Sequence, residues 1–248
     1  MSIYVTGDTH IPIDIHKLNS KNFPDQKNMT KNDYMIILGD FGLLWENIMS
    51  CTGLYWLKWL NERNFATLFL DGNHENHKKL FSGITAPEII SSDYTDEYII
   101  EKKFGGYVGK VSDSIYHLRR GEVYIINGKK FFTMGGGGSI DKYLRVEGVD
   151  WWPEEEPNRK ELYYGLDNLE KHNNTVDYIL GHTAPKSVIF EHFDKYWECS
   201  STEGFFDHII NFVDFEAFYC GHTHIDNDYG KYHFLYQRVM CLEDGDEI

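Results

Sequence analysis

Residues 67 to 73 have the sequence TLFLDGN, a short apolar run that ends in glycine and a polar side chain. Short apolar runs bounded by turn residues predict buried strands. Four other stretches share this design, with Asp or His after the glycine: IYVTGD at 3 to 8, YMIILGD at 34 to 40, DYILGH at 177 to 182 and FEAFYCGH at 215 to 222. We therefore predict five buried strands, each of which ends in a polar loop.

Segments with a helical spacing of apolar residues lie between these strands, at residues 53 to 63, 158 to 172 and 203 to 213. Strands that alternate with amphipathic helices predict an α/β fold whose sheet is at least partly parallel.

Three further strand-like runs lie in the middle of the chain. They are joined by turns, one of which is Asn127-Gly128, and predict an antiparallel meander. The runs are residues 114 to 118, 122 to 126 and 129 to 135. Mixed sheets are therefore expected.

The composition predicts one domain over residues 1 to 248, because 42% of the residues are hydrophobic and one core can be filled. Residues 135 to 157 are irregular and begin with a run of glycines, so we expect a surface excursion there. The net charge of -15 disfavours extended nucleic acid as a partner but allows a small phosphorylated substrate.

The four cysteines form no C-x-x-C pair, which argues against a zinc knuckle or a redox motif and favours reduced thiols. The first residues show no secretory signal, and no stretch approaches the ~20 apolar residues of a membrane span. We expect a cytoplasmic protein that makes no contact with a membrane.

Metal-competent side chains follow the glycines at the predicted strand ends, where the functional crevice of an α/β sheet lies. They are Asp8, His10, Asp40, Asn73, His182, His222 and His224. Two residues of extended chain return a side chain to the same face, so we expect Asp8 with His10, and His222 with His224, to point in pairs towards one centre. Taken singly, Asp40 can also be a helix cap, and His182 can be a hydrogen-bonded core residue.

The mixed nitrogen and oxygen donors suit Mn, Fe, Zn or Co, of which we favour Mn. Seven ligands are more than one ion needs, so we expect two divalent ions that share a bridging carboxylate, ~3.5 to 4 Å apart.

The series GDTH (7 to 10), GDFG (39 to 42), GNHE (72 to 75), GH (181 to 182) and GHTH (221 to 224) resembles the calcineurin-like metallophosphoesterase superfamily. The resemblance spans residues 8 to 224. It implies a four-layer α/β/β/α sandwich with mixed sheets. It also implies a phosphoesterase in which a hydroxide held between two metal ions attacks phosphorus, without a covalent phospho-enzyme.

The resemblance assigns roles to the individual residues. Asn73, His182 and His222 would bind the second metal, and Asp40 would bridge the two ions. Asp8, His10 and His224 would bind the first metal. His74 would be the catalytic residue that assists the leaving group.

The chain departs from the motif G-D-x-x-D-R of many superfamily members, in which the second Asp orients the catalytic His. Leu43 and Leu44 stand at the positions of that Asp and Arg. Glu75 and Glu46 are the alternatives for orienting His74.

Another cation would then have to hold the phosphate. The candidates for substrate binding are Arg119, Arg120 and Arg145, with Lys142 beside them, and each can instead be a solvated surface charge. Trp151 and Trp152 can form a rim that stacks on a base or an aromatic leaving group, or they can pack residues 135 to 157 onto the body.

We therefore expect hydrolysis of a phosphomonoester or a phosphodiester of small size. The alternatives are a nuclease or nucleotide phosphodiesterase, and a non-catalytic scaffold. Scaffold members of the superfamily usually lose the histidine of the G-N-H motif or several ligands, whereas here all are present. We assign no metal to seven other histidines: His16, His77, His117, His172, His192, His208 and His233.

Overall fold

A computed structural model of the chain describes residues 1–45, 50–81, 99–193 and 199–242. The strands are β1 (Ile3–Thr6), β2 (Tyr34–Ile37), β3 (Ala66–Phe69), β4 (Ile99–Lys103), β5 (Gly106–Ser112), β6 (Ile115–Leu118), β7 (Val123–Ile126), β8 (Lys129–Met134), β9 (Tyr178–Gly181), β10 (Ala217–Cys220), β11 (Asn227–Tyr229), β12 (Tyr232–Phe234) and β13 (Val239–Cys241). The α-helices are α1 (Cys51–Asn61), α2 (His77–Phe81), α3 (Arg159–Lys171), α4 (Lys186–His192) and α5 (Ser201–Ile209).

The strands form two mixed sheets. The first sheet has the order β13-β1-β2-β3-β6-β5-β4, and its central strands β1, β2, β3 and β6 are parallel. The second sheet has the order β11-β12-β10-β9-β8-β7, and its strands β12, β10, β9 and β8 are parallel. Antiparallel strands close both edges of both sheets.

The two sheets pack face to face, and helices cover their outer faces. Alternate residues of β2 show this arrangement, because Ile36 belongs to the core between the sheets whereas Met35 packs in the cluster that contains Trp56 of α1. On the far side, Phe132 of the second sheet packs in a cluster with Phe206 of α5. The predicted α/β/β/α sandwich with mixed sheets is confirmed.

The three predicted helices are present as α1, α3 and α5. Hydrogen bonds to side chains fix where they begin. Ser50 accepts from the Gly53 N–H, Asn158 forms a capping box, and the Glu203 carboxylate accepts from the Ser200 backbone N–H. The prediction for the third helix extended too far, because α5 ends at Ile209 and a turn follows.

The predicted meander is wrong in part. Strands β7 and β8 form the expected hairpin, and its turn residues Asn127 and Gly128 both have positive φ. Strand β6, however, lies in the other sheet, parallel to β3. The chain changes sheets in the link between β6 and β7, which contains Gly121 with a φ of +76°. A local pattern of turns carries no information about this change.

The expected surface excursion at residues 135 to 157 is only partly exposed. Its first residues, 135 to 137, are buried, and so are Ser139, Trp152 and Glu155. Residues 142 to 144, by contrast, are exposed. The segment therefore packs against the body at both of its ends. No helix in the described part of the chain is both long enough and apolar enough to cross a bilayer.

Candidate metal centre

The candidate ligands lie at the carboxyl ends of neighbouring strands, as the α/β pattern predicts. Loops after β1, β2 and β3 of the first sheet carry Asp8, His10, Asp40 and Asn73, and loops after β9 and β10 of the second sheet carry His182, His222 and His224. Ligand atoms from Asp8, His10, Asp40 and His224 all lie within 4.8 Å of one another. Side chains from both sheets therefore meet at one place.

One half of this cluster pairs imidazoles with carboxylates. His224 Nε2 lies 2.9 Å from Asp8 Oδ2, and His10 Nε2 lies 3.2 Å from Asp40 Oδ2. Asp8 and Asp40 are 0% and 1% exposed, so their charges are removed from solvent. Buried carboxylates beside imidazoles form a donor set that fits a divalent transition-metal ion.

The other half of the cluster lies against the second oxygen of Asp40. His182 Nε2 is 3.5 Å from Asp40 Oδ1 and 3.0 Å from Asn73 Oδ1. The ring of His222 packs against that of His182, with centroids 4.8 Å apart. Asp40 therefore turns one oxygen to each half, which is the arrangement that a bridging carboxylate needs.

Glycines before the ligands make this close approach possible. A Cβ on Gly72 would lie 2.1 Å from Asp40 Oδ1, and a Cβ on Gly221 would lie 2.2 Å from Asp8 Oδ1. Each glycine thus clears space for a ligand that comes from a different strand. The recurrence of glycine at the strand ends therefore has a physical reason, which is the close approach of ligands from different strands.

Four of the candidate ligands adopt left-handed backbone conformations: His10, Asp40, His222 and His224 have φ values of 35°, 45°, 67° and 52°. Residues other than glycine seldom adopt such conformations, which concentrate at functional sites. The prediction that extended chain pairs the ligands is therefore wrong in its geometry, although Asp8 and His10 do meet at one place as expected. In particular His222 and His224 diverge, since His224 faces Asp8 whereas His222 packs against His182.

The charge states of the cluster suit cation binding. Burial alone would raise the pKa of Asp8 and of Asp40, but nearby imidazoles, His182 among them, outweigh it and hold both pKa values below their usual range. Burial lowers the pKa of His222 to about 3. Burial also lowers the pKa of His10, but the carboxylates of Asp40 and Asp8 outweigh it and raise that pKa to about 9. The cluster thus stabilises positive charge, and its carboxylates are in the metal-binding form.

Several groups outside the predicted ligand set hold the ligands in place. Asp14 Oδ2 lies 2.8 Å from His10 Nδ1, and the carbonyl of Leu38 lies 2.8 Å from His182 Nδ1. Beneath the loop after β1, the buried Lys17 ammonium donates to the carbonyls of Gly7 and Asp8.

Asn73 has a support of its own in residues 135 to 157. Its Nδ2 donates to Ser139 Oγ at 3.1 Å, and Ser139 donates to both carboxylate oxygens of the buried Glu155 at 2.9 and 2.6 Å. This chain of hydrogen bonds turns Asn73 Oδ1 towards His182. No local sequence signal marks Ser139 or Glu155, because both reach the site through the fold of an irregular segment.

His74 lies beside the cluster and contacts Arg145. The backbone N–H of His74 donates to Asp40 Oδ1 at 2.7 Å. On the side chain, Arg145 Nη1 lies 3.1 Å from His74 Nδ1. Asp141 holds the guanidinium with both carboxylate oxygens, each at 2.8 Å. Burial lowers the pKa of His74, and the positive charge of Arg145 lowers it further against the opposing effect of Asp40.

Of the two glutamates considered for orienting His74, Glu75 supports a neighbouring loop instead. The alternative that Glu75 orients His74 is wrong. Glu75 Oε1 accepts hydrogen bonds from the backbone N–H groups of Phe41 and Gly42, at 2.6 and 3.4 Å, and so supports the loop after β2. Glu46 lies outside the described residues. Leu43, at the position of the usual Asp, is 4% exposed and packs in the core.

The remaining substrate candidates do not reach His74. Arg120 is 4% exposed, and its guanidinium donates to Asp71 Oδ2 and to the carbonyls of Glu154 and Glu155, so it is a structural residue and is not available to a substrate. Arg119 lines a separate cavity with Arg120. Lys142 is exposed.

Trp152, His117 and His77 are buried and pack in the body of the protein. Trp152 is 2% exposed and makes an edge contact with Trp45, which favours the packing alternative for this residue. His117, expected to be packed or hydrogen-bonded, is fully buried with Nε2 3.0 Å from Asp71 Oδ1, so that prediction is confirmed. His77 is also buried, and its ring stacks on Phe81.

The family model described as calcineurin-like phosphoesterase matches residues 1–226. No curated protein matches the chain.

Proposed function

Because the chain belongs to the calcineurin-like phosphoesterase family, we propose that it hydrolyses a phosphomonoester or a phosphodiester of small size with the help of two divalent ions. One observation carries this proposal. The two oxygens of Asp40 face two separate groups of ligands, at 3.2 Å from His10 Nε2 and at 3.5 Å from His182 Nε2.

The ligands divide into two sets on this basis. Asp8, His10 and His224 would hold the first ion, and Asn73, His182 and His222 would hold the second, with Asp40 shared. Manganese is our first choice among Mn, Fe, Zn and Co, because the mixed donors suit all four. When bound, two such ions activate a water and neutralise the charge of the phosphoryl group.

Arg145 and His74 would also act on the phosphate. The Arg145 guanidinium is fixed by Asp141 beside His74 and can neutralise a phosphoryl oxygen. The two Nη atoms of Arg145 lie 3.1 and 3.5 Å from His74 Nδ1 and Nε2. A neutral His74 ring carries one proton, which it can donate to the leaving oxygen or to a phosphoryl oxygen.

We further propose that the protein works in the cytoplasm, where its four cysteines, all of them free, remain reduced.

Metal-depleted protein tests the proposal. After addition of Mn²⁺, it should hydrolyse p-nitrophenyl phosphate or bis(p-nitrophenyl) phosphate, and chelation should abolish the activity. Two bound equivalents of Mn²⁺ without hydrolysis of either ester, or of nucleotides, would contradict catalysis and favour a scaffold.

A further inference from the structure

A cavity of about 530 Å³ adjoins the candidate site, because His10 and His74 both line it. The ring centroids of the two histidines lie 5.9 Å apart. Ligand cavities in proteins typically measure about 300 to 1,000 Å³. The cavity therefore has room for a group much larger than a phosphoryl group, next to the place where the phosphoryl group would bind.

The wall of this cavity is largely apolar. Ile11, Pro12 and Ile13 line it from the loop after β1, and Leu43 and Trp45 line it from the loop after β2. Ser50 and Thr52 add two hydroxyl groups, and apart from the two histidines no lining residue in the described ranges 1–45 and 50–81 has an ionisable side chain. A charged group would lose water here and find no ionisable partner among these residues except the histidines, whereas an apolar group would gain from burial.

The cationic end of the site is separate from the cavity. Arg145 contacts His74 from residues 135 to 157 and does not line the cavity. Recognition of the phosphate and recognition of the rest of the substrate are thus assigned to different surfaces, which meet at His74.

Apolar side chains are also exposed on both chain segments that supply this site. Ile13, which lines the cavity, is 73% exposed. The segment that carries Arg145 exposes five more apolar side chains, each between 60% and 79%: Ile140, Tyr143, Leu144, Val146 and Val149. Exposed apolar groups of this kind are a feature of binding surfaces.

We propose that the cavity binds the apolar alcohol or phenol component of a phosphate ester, an inference that rests on the proposed phosphoesterase function. In the reaction, water adds to phosphorus, the bond from phosphorus to the ester oxygen breaks, and the leaving alcohol takes up one proton. The apolar component therefore leaves as a free alcohol or phenol from the cavity.

Binding of n-alkylphosphonates to the Mn²⁺-loaded protein tests the cavity, because the carbon-phosphorus bond is not hydrolysed. In calorimetric titrations from ethyl- to octylphosphonate, Kd should fall about fourfold per buried methylene until the cavity is full. Ile13→Gln should flatten this dependence. Ile125→Gln removes an exposed isoleucine of β7 outside the cavity and should retain the wild-type slope.

Two outcomes would overturn the cavity assignment: a Kd that does not change with chain length, or tighter binding of a hydroxylated phosphonate of equal length. Hydrolysis of p-nitrophenyl phosphate by the same preparation decides the proposed function separately. Hydrolysis without a length dependence would contradict the cavity alone, whereas a length dependence without hydrolysis would support the cavity and contradict catalysis.

Discussion

Arg145 Nη1 lies 3.1 Å from His74 Nδ1, so an arginine contacts the histidine of the G-N-H motif. Asp141 fixes that arginine through two hydrogen bonds of 2.8 Å. The pair comes from the irregular segment at residues 135 to 157, not from the loop after β2. Leu43 and Leu44 stand where the motif of many superfamily members has an acid and a cation, and this segment supplies both beside His74.

Replacing Arg145 with alanine should lower kcat/KM for p-nitrophenyl phosphate by about 100-fold or more. The loss of one fixed donor to a developing charge commonly has an effect of this size. Arg145→Lys should recover only part of the loss, because lysine lacks the planar fork that Asp141 holds. Arg159→Ala changes an exposed arginine at the start of α3, so this matched control should leave the rate unchanged. Equal rates for the Arg145 and Arg159 variants would contradict the proposed role of Arg145.

His74→Asn should lower kcat by about 100-fold or more, because a positioned proton donor typically contributes that much. The variant should still bind two equivalents of Mn²⁺, since His74 is not among the proposed ligands. Steady-state kinetics with metal analysis on the same sample checks both statements. A loss of one ion would show that His74 is a ligand instead.

Ser139→Ala should weaken the binding of one of two Mn²⁺ ions by about 10- to 100-fold, because residues that orient metal ligands commonly have effects of this size. Ser139 holds the Asn73 amide and is itself held by Glu155. Ser201→Ala changes an exposed serine at the start of α5 and serves as the control. Unchanged affinity for both ions in Ser139→Ala would show that Asn73 needs no such support.

The buried pair of Asp71 and Arg120 should make stability depend on pH. Burial alone would raise the pKa of Asp71, but Arg120 and His117 outweigh it and hold this pKa well below its usual range. The contribution of Asp71 is therefore complete above the unfolded-state pKa of about 4 and is lost as the pH falls towards the folded-state pKa.

Asp71→Asn should lower the free energy of unfolding by about 3 kcal/mol at pH 7, because it removes the carboxylate closest to the buried Arg120 guanidinium and leaves only the longer contact of 3.5 Å to Glu161. The difference from the wild type should shrink below about pH 4. Urea denaturation in a chelating buffer from pH 7 to pH 3 measures this difference in the free energy of unfolding. Asp167→Asn, which changes an exposed aspartate, is the control. A difference that stays constant over this range would contradict the assignment.

The ligands could be predicted from the sequence because their signal is local. Each of Asp8, Asp40, Asn73, His182 and His222 follows a glycine at the end of a buried run, and the fold brings those ends together whatever the detail of the loops. The left-handed backbone at His10 and His224 could not be predicted in this way, because it depends on contacts between loops of both sheets.

The supporting residues could not be predicted for a related reason. Ser139 and Glu155 lie in a segment without periodicity, and only the path of the chain between β8 and α3 brings them to Asn73. Arg145 is among the predicted substrate-binding cations, but the same path decides that it contacts His74. The change of sheet between β6 and β7 has the same origin. Local patterns determine strands and helices, whereas the choice of partner depends on the whole core.

An anomalous difference map from a crystal of the protein soaked in Mn²⁺ tests the central claim most directly. We predict two peaks about 3.5 to 4 Å apart, one beside each oxygen of Asp40. The first peak should contact Asp8, His10 and His224, and the second should contact Asn73, His182 and His222. A single peak, or two peaks that do not share Asp40, would contradict the proposed dinuclear centre.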